Sequence, residues 1–428
     1  MQIRHPVIIE PGVTINQSAA IYFNSTVQAI GSDSGANAIT FNNQSCGASV
    51  QNQGSPHGSG QKIKYKFVKF IGLSIMEMNG GTIESSTYDN SACSFLSGGI
   101  RKTGYDPLII KNNNFIAIAS LVTVVDGFTA VENNTGTIAN VVTLQGGDIS
   151  LLDNSLSLAG SCTLGDYKSF IAAGRGGNIT SAENNVVSGV CDFLKISGPI
   201  DFEIDGGFTV NNCLAAVGVE NITENLGKAT IKNIDFSGCE YAYYNASTAY
   251  APPTGQKVLF QNNDINVTEA LVKIKKQFFG NDWSATNFGI TFDLNDIECV
   301  HASTTDCELF HIENGTGMDD NLGHYALGLT KNNITCSTGA CTGFRADTGS
   351  TRVLTFSSEI ALGTNASSTS NYYIGRTLKA SIASGIENNA ACATEICISE
   401  YEDVDITGTW TFPSNDSAGA IIPGTGPQ

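Results

Sequence analysis

The chain has 428 residues, 40 acidic against 22 basic side chains and a net charge of −18, yet only 14% of its residues are charged. No apolar run reaches the ~18 residues of a membrane-spanning helix, 41% hydrophobic content with 21 Phe and 13 Tyr is enough for a core, and the acidity repels nucleic acid. With 46 Gly and 39 Asn in place of the Ala, Leu, Glu, Lys and Arg of a helical protein, a large all-β chain with many corners remains.

The chain opens on an apolar, proline-bounded, strand-like segment, His5-Pro-Val-Ile-Ile-Glu-Pro-Gly-Val-Thr-Ile. No amphipathic helix and no signal-peptide h-region follow Arg4. Residues 1–20 therefore read as an N-terminal strand or cap. Further on, Lys62-Ile-Lys-Tyr-Lys-Phe67 alternates cations with apolar residues, and Lys69 follows. On a strand, Lys62, Lys64 and Lys66 share one face, and Ile63, Tyr65 and Phe67 share the other. Lys62, Lys64, Lys66 and Lys69 are candidates for binding an anionic surface glycan. The simpler reading is the solvated face of a strand whose other face is core.

From residue 41 a theme recurs: Asn, often Asn-Asn, followed by a β-branched or aromatic residue. It appears at Phe41-Asn-Asn, Lys111-Asn-Asn-Asn, Glu132-Asn-Asn, Asp153-Asn, Glu183-Asn-Asn, Val210-Asn-Asn and Lys232-Asn. It continues at Gln261-Asn-Asn, Leu294-Asn, Lys331-Asn-Asn and Glu387-Asn-Asn. The spacing is mostly about 20 to 38 residues, the range of solenoid repeats. Between the anchors lie short strand-like runs such as Leu121–Val125, Ile149–Leu152, Phe202–Asp205, Ala229–Lys232, Val258–Gln261 and Val353–Phe356. Gly pairs at 80–81, 98–99, 146–147, 176–177 and 206–207 supply corners. Asn tolerates left-handed backbone angles, and its amide both donates and accepts. A turn that recurs in every coil can therefore stack its Asn side chains into an internal ladder.

This pattern resembles the right-handed parallel β-helix, pectin-lyase-like superfamily. That resemblance implies an all-β, single-stranded right-handed parallel β-helix (solenoid) with Asn-rich turns over residues 21–403. Residues 404–428 then form a C-terminal strand, Val404-Asp-Ile-Thr-Gly-Thr-Trp-Thr-Phe-Pro, and a flexible tail. A solenoid exposes a sheet edge at each end, so either terminus caps its own coil or is given to a neighbouring copy.

Twelve Cys, an even number, with no CxxC and no zinc-like Cys/His spacing, read as disulfides formed in an oxidising compartment. Cys299/Cys307, Cys336/Cys341 and Cys392/Cys397 are close enough in sequence to close tight turns. For the other six, sequence order alone suggests Cys46/Cys93, Cys162/Cys191 and Cys213/Cys239. Twelve glycosylation sequons fit an exported protein: Asn16, Asn24, Asn43, Asn133, Asn178, Asn221, Asn245, Asn266, Asn314, Asn333, Asn365 and Asn415.

The superfamily includes polygalacturonases, with Gly-His-Gly and Arg-Ile-Lys, and pectate lyases, with a calcium cluster of Asp. Neither of the two short motifs occurs here. The nearest approach to a calcium cluster is Asp201, Glu203 and Asp205 on one strand face, or Asp319 and Asp320. The simpler readings are a solvated strand face and an acidic turn. Arg101-Lys102 and Arg175 lie near corners, where a lyase would hold a uronate carboxylate. No catalytic residue and no cofactor is assigned beyond a structural calcium ion at those carboxylates. The expectation is a structural or adhesive protein of the extracellular space, or of a cell or virion surface, self-associating end to end or holding surface glycans. The alternative is a carbohydrate-active enzyme, a polysaccharide lyase or tailspike-type depolymerase.

Overall fold

The computed structural model describes residues 1–43, 45–52, 63–93, 97–158, 169–173, 176–189, 191–196, 201–219, 228–245, 257–275 and 289–300. Beyond residue 300 it describes strand backbone in segments, together with Asn332. The described residues contain β-strands and turns and no helix. Two compact units are present: Met1–Leu194 with Gly206–Thr209, and Lys195–Asp205 with Val210–Gln428.

In the first unit each pass of the chain gives one strand to a smaller parallel sheet and one or two to a larger one, and returns to each one strand further along. The short-strand sheet runs Val7–Ile9, Val27–Ile30, Lys64–Lys66, Gly81–Glu84, Leu108–Lys111, Phe128–Glu132, Asp148–Leu152 and Asn178–Glu183. The long-strand sheet includes Ile39–Asn42, Val68–Ile71, Thr87–Asp89, Asn114–Val124 and Thr135–Leu144, again parallel. The stacking is that of a parallel β-solenoid. The earliest strands, Gln2–Ile3, Val7–Ile9 and Thr14–Asn16, pair in parallel with Ile21–Phe23, Val27–Ile30 and Ile39–Asn42.

Many of the short strands alternate buried and outward residues, whereas Asp192–Ile196 and Ala215–Val219 are buried throughout. In Leu108–Lys111, Leu108 and Ile110 are fully buried while Ile109 and Lys111 face outward. Register then stacks like upon like. Phe41, Phe70, Tyr88 and Phe115 face one another on successive strands. Their ring centroids lie 5.4, 4.5 and 5.3 Å apart and are stacked. The long strand Asn114–Val124 bends at Ala117, whose φ is 54° and where the register shifts.

The Asn theme resolves into two roles at one corner. The first residue of each pair takes the left-handed conformation: Asn112, Asn133, Asp153 and Asn184 have φ of 57, 49, 54 and 52°. The second residue turns inward. Asn113, Asn134, Asn154 and Asn185 are at most 2% exposed. The Asn113 Nδ2 donates to Asn134 Oδ1 (3.0 Å), Asn134 Nδ2 to Asn154 Oδ1 (3.0 Å) and Asn154 Nδ2 to Asn185 Oδ1 (2.9 Å). Each Oδ1 also accepts the backbone N–H of the preceding ladder residue. The second N–H of each amide reaches a strand carbonyl, such as Ile110 O for Asn134. These buried polar groups are thus paired, as burial requires. The outer residues stack too, in the opposite sense: Asn133 Nδ2 donates back to Asn112 Oδ1 (2.7 Å). Two instances of the theme belong elsewhere. Phe41-Asn-Asn and Val210-Asn-Asn lie at the end of long-sheet strands, at a different corner, because what fixes the corner is where the strand stops.

On the opposite side, glycines stack. An added Cβ would lie 2.5 Å from Gly104 O at Gly127 and 2.5 Å from Gly127 O at Gly147. Both have positive φ, so neither position admits a side chain.

The second unit repeats the plan. Its short-strand sheet contains Phe202–Asp205, Lys228–Lys232, Lys257–Gln261, Gly289–Asp293 and Ala326–Thr330 in parallel. Its long-strand sheet contains Asp235–Asn245, Asp264–Lys275, and then Asp296–Cys299 with Cys307–Glu313. The inner ladder reappears as Asn263, Asn295 and Asn332, with Nδ2–Oδ1 distances of 2.9 Å. Further on, Arg352–Phe356 pairs antiparallel with Thr377–Ala380, and Ser358–Ala361 with Asn371–Ile374. Arg352–Phe356 also pairs in parallel with Ala326–Thr330, and Cys397–Ile398 pairs in parallel with Ile422–Pro423.

Two disulfides tie passes of the chain together, Cys213–Cys239 joining successive passes and Cys46–Cys93 reaching over the one that carries Val68–Ile71. Cys46 bonds Cys93 and Cys213 bonds Cys239, with Cα separations of 5.8 and 4.3 Å. Cys191 and Cys299 are also disulfide-bonded.

Candidate functional site

Among the described residues, one outward face in each unit and one buried corner are candidates for a site, all carrying ionisable groups in unusual surroundings.

The first is the outward face of the short-strand sheet in the first unit. Register aligns Lys66, Glu84, Lys111 and Glu132 on successive strands, with Lys64 two residues before Lys66. The Glu84 carboxylate lies 3.7 Å from Lys64 Nζ, 3.2 Å from Lys66 Nζ and 4.0 Å from Lys111 Nζ. Burial alone would raise the Glu84 carboxyl. The hydrogen bond from Lys66 and the charges of Lys111, Lys66 and Lys64 outweigh it and hold the group below its ordinary value. Of the glycan candidates, Lys64 and Lys66 thus stand together and already share a carboxylate. Lys69 belongs to the other sheet, on Val68–Ile71, and Lys62 lies outside the described residues. Ile63 and Tyr65 face the core as expected, but Phe67 does not. It sits at the corner with φ of 53°, its ring 5.2 Å from Lys66 Nζ.

The second place is the outward face of the long-strand sheet in the second unit. Asp235, Asp264 and Asp296 are aligned on successive strands, and all three are exposed. Glu298 follows two residues after Asp296 and accepts a hydrogen bond from Asn266 Nδ2 (3.1 Å). Parallel strands place such neighbours about 4.8 Å apart. Burial, and then the charges of Asp235, Asp296 and Glu298, raise the Asp264 carboxyl above its ordinary value. Glu240 is raised in the same way, by burial and by Glu269, against the pull of Lys273.

The third is Lys102, the inward residue at the end of Ser97–Lys102. Its side chain is fully buried, and its Nζ donates to Asp126 O at 3.3 Å. Burial pushes its amine down to about 8, against the opposing pull of Asp126 and Asp106. The corner position expected to offer Lys102 to a uronate is therefore an interior one. Strand alternation from Ile100 carries the chain inward at this residue, while Arg101 faces out. Arg175 lies outside the described residues.

The calcium candidates Asp201, Glu203 and Asp205 each serve the next strand separately. Asp201 accepts the Lys228 N–H (2.7 Å), Glu203 pairs with Lys232 (2.7 Å) and Asp205 accepts from Asn233 Nδ2. Among the described residues no group of three or more His, Cys, Asp or Glu converges as a metal site. Asp319 and Asp320 lie outside them. Of the sequons, Asn16, Asn24, Asn133 and Asn178 are exposed and Asn266 is partly so. Asn43 is fully buried, its Nδ2 donating to Gly72 O (2.9 Å), and so has no room for a glycan. The side chains of Asn245 and Asn333, and Asn221, Asn314, Asn365 and Asn415 altogether, fall outside the described residues, as do the side chains of Cys307, Cys336, Cys341, Cys392 and Cys397.

No helix among the described residues is long and apolar enough to cross a membrane. No protein family, curated protein or solved structure matches the chain.

Proposed function

We propose that the chain is an extracellular structural or adhesive protein, a right-handed parallel β-helix that serves as a subunit of a surface filament or appendage. The observation that carries this reading is the pairing of disulfides with a buried amide ladder. Both devices lock passes of the chain against one another, and the disulfides belong to an oxidising compartment. Assembly runs end to end through terminal strands. Electron microscopy of the native material should show filaments. Deleting residues 404–428 should abolish them, and filaments that persist would exclude a donated C-terminal strand.

A second reading, a carbohydrate-active enzyme, is favoured by one feature. Asp264 stands in register with Asp235 and Asp296, and its carboxyl is held above its ordinary value, which supports a pair of carboxyl groups acting as general acid and partner. Incubation with alginate, pectin and glycosaminoglycans, followed by ultraviolet absorbance and reducing-end assays, tests it. No product from any of them would remove this reading.

A further inference from the structure

We infer that the C-terminal cysteines staple one pass of the chain to the next, Cys299 to Cys336 and Cys307 to Cys341, in place of the tight-turn pairs that sequence proximity suggests.

The argument rests on one inward column of the second unit. Cys239 stands opposite Val267, Val267 opposite Cys299, and Cys299 opposite Cys336. Cys213 precedes Cys239 in this column, the Glu240 N–H donating to Cys213 O at 2.9 Å. The column therefore reads Cys213, Cys239, Val267, Cys299, Cys336. Its first two members are bonded to each other across one pass, with Cα atoms 4.3 Å apart. Cys299 is itself disulfide-bonded and fully buried. The backbone of Asn333–Cys336 puts Cys336 where Cys239 stands relative to Cys213, one strand further along. Parallel neighbours lie about 4.8 Å apart, inside the ~4.4–6.8 Å window of Cα separations that a disulfide spans.

The tight-turn alternative joins unlike positions. Ala270 stands opposite Glu308, so Cys307, one residue earlier, falls opposite Glu269, which is exposed. A Cys299–Cys307 bond would run from a core column to an outward one across the bend. Cys307 has its own counterpart one strand further along, since it stands opposite Cys341. Each bond forms as two thiols lose two protons and two electrons. The acceptor is a disulfide donor of the thiol–disulfide oxidoreductase class, which leaves as the dithiol.

Trypsin separates the alternatives, because the chain has no Lys or Arg between Lys276 and Lys331, and Arg345 is the next after Lys331. Cys299 and Cys307 fall in peptide 277–331, and Cys336 and Cys341 in peptide 332–345. Digestion of the deglycosylated full chain without reductant should yield these two peptides covalently joined, separating only on reduction. Recovery as two unlinked peptides, each with an internal bond, would overturn the inference. The Cys307→Ser/Cys341→Ser double variant should still give joined peptides through the remaining pair. Unjoined peptides from that variant would overturn the Cys299–Cys336 assignment even if the native chain gives joined ones.

Discussion

In the first unit the outward column Lys66–Glu84–Lys111–Glu132 alternates in sign, whereas in the second unit Asp235, Asp264 and Asp296 repeat it. Both columns sit on parallel strands in register, so each charge meets the same position of its neighbours about 4.8 Å away. The physical outcomes are opposite. Glu84 is held below its ordinary value, and Asp264 is raised above its own. Inside, both units carry the same Asn ladder. Stacking thus fixes the interior chemistry and leaves the exterior free to vary. It also amplifies whatever the exterior carries, because a charge repeated once per pass is repeated at contact distance.

The largest test is of the shared interior. Asn134→Ala in the first unit and Asn263→Ala in the second should each cost roughly 3–5 kcal/mol, since each strands several buried amide partners. Chemical denaturation, with hydrogen exchange read in each unit separately, checks this. A much smaller loss in one unit would mean that the interiors are not equivalent. Next, the Cys213→Ser/Cys239→Ser variant should lose about 3 kcal/mol, as expected for opening a loop of 26 residues.

Lys102 sharpens the contrast between inside and outside, since it is a cation of the first unit whose hydrogen bond goes to a carbonyl and not to a carboxylate. Its folded-state value is depressed, so the unfolded chain holds the proton more tightly. The wild-type fold is therefore penalised at low pH and recovers as pH rises from about 8 toward the ordinary lysine value. Lys102→Met should remove that recovery and stabilise the protein by about 1–2 kcal/mol below pH 8, as measured by thermal melts across pH.

The smallest effects test the outer columns directly. Glu84→Gln should cost about 0.5–1 kcal/mol at neutral pH. Because the folded Glu84 value is depressed, that contribution is present above the unfolded glutamate value and is lost as pH falls through the folded one. Asp264 has the opposite sign. Its raised value, from burial first and then from the charges of Asp235, Asp296 and Glu298, means a penalty at neutral pH that is relieved as pH falls through the folded value. Asp264→Lys, which makes the second column alternate like the first, should stabilise by about 0.5 kcal/mol and lose that gain in high salt. Destabilisation would show that the acidic column is held together by something other than its own charges.

The corner was legible in the sequence because its chemistry is local. Asn before a β-branched residue, once per pass, announces a left-handed turn and a stacked amide. Which Asn of a pair does which was not legible. Asn112 and Asn113 differ only in where the strand ends, and Asn43 is a sequon by its letters and a buried donor by its place. The pairings Cys46–Cys93 and Cys213–Cys239 follow sequence order because each spans whole passes. The charged columns were hidden for a geometric reason. Vertical neighbours are separated by a pass whose length varies, so Lys66, Glu84 and Lys111 share no fixed spacing. A lone strand reading sees the Lys run and misses the Glu above it.

That variable length has a consequence of its own. Consecutive ladder residues are separated by 21, 20 and 31 residues in the first unit, and by 32 and 37 in the second. The ladder inspects one residue per pass and is indifferent to how many come between. The chain is like text justified on a single margin, with lines that end where they please. Residues can be added to the free side of any line without disturbing the margin, and a whole line can be duplicated as long as it begins with its Asn. Such a fold can lengthen and diversify its surface in small heritable steps while its spine stays unchanged.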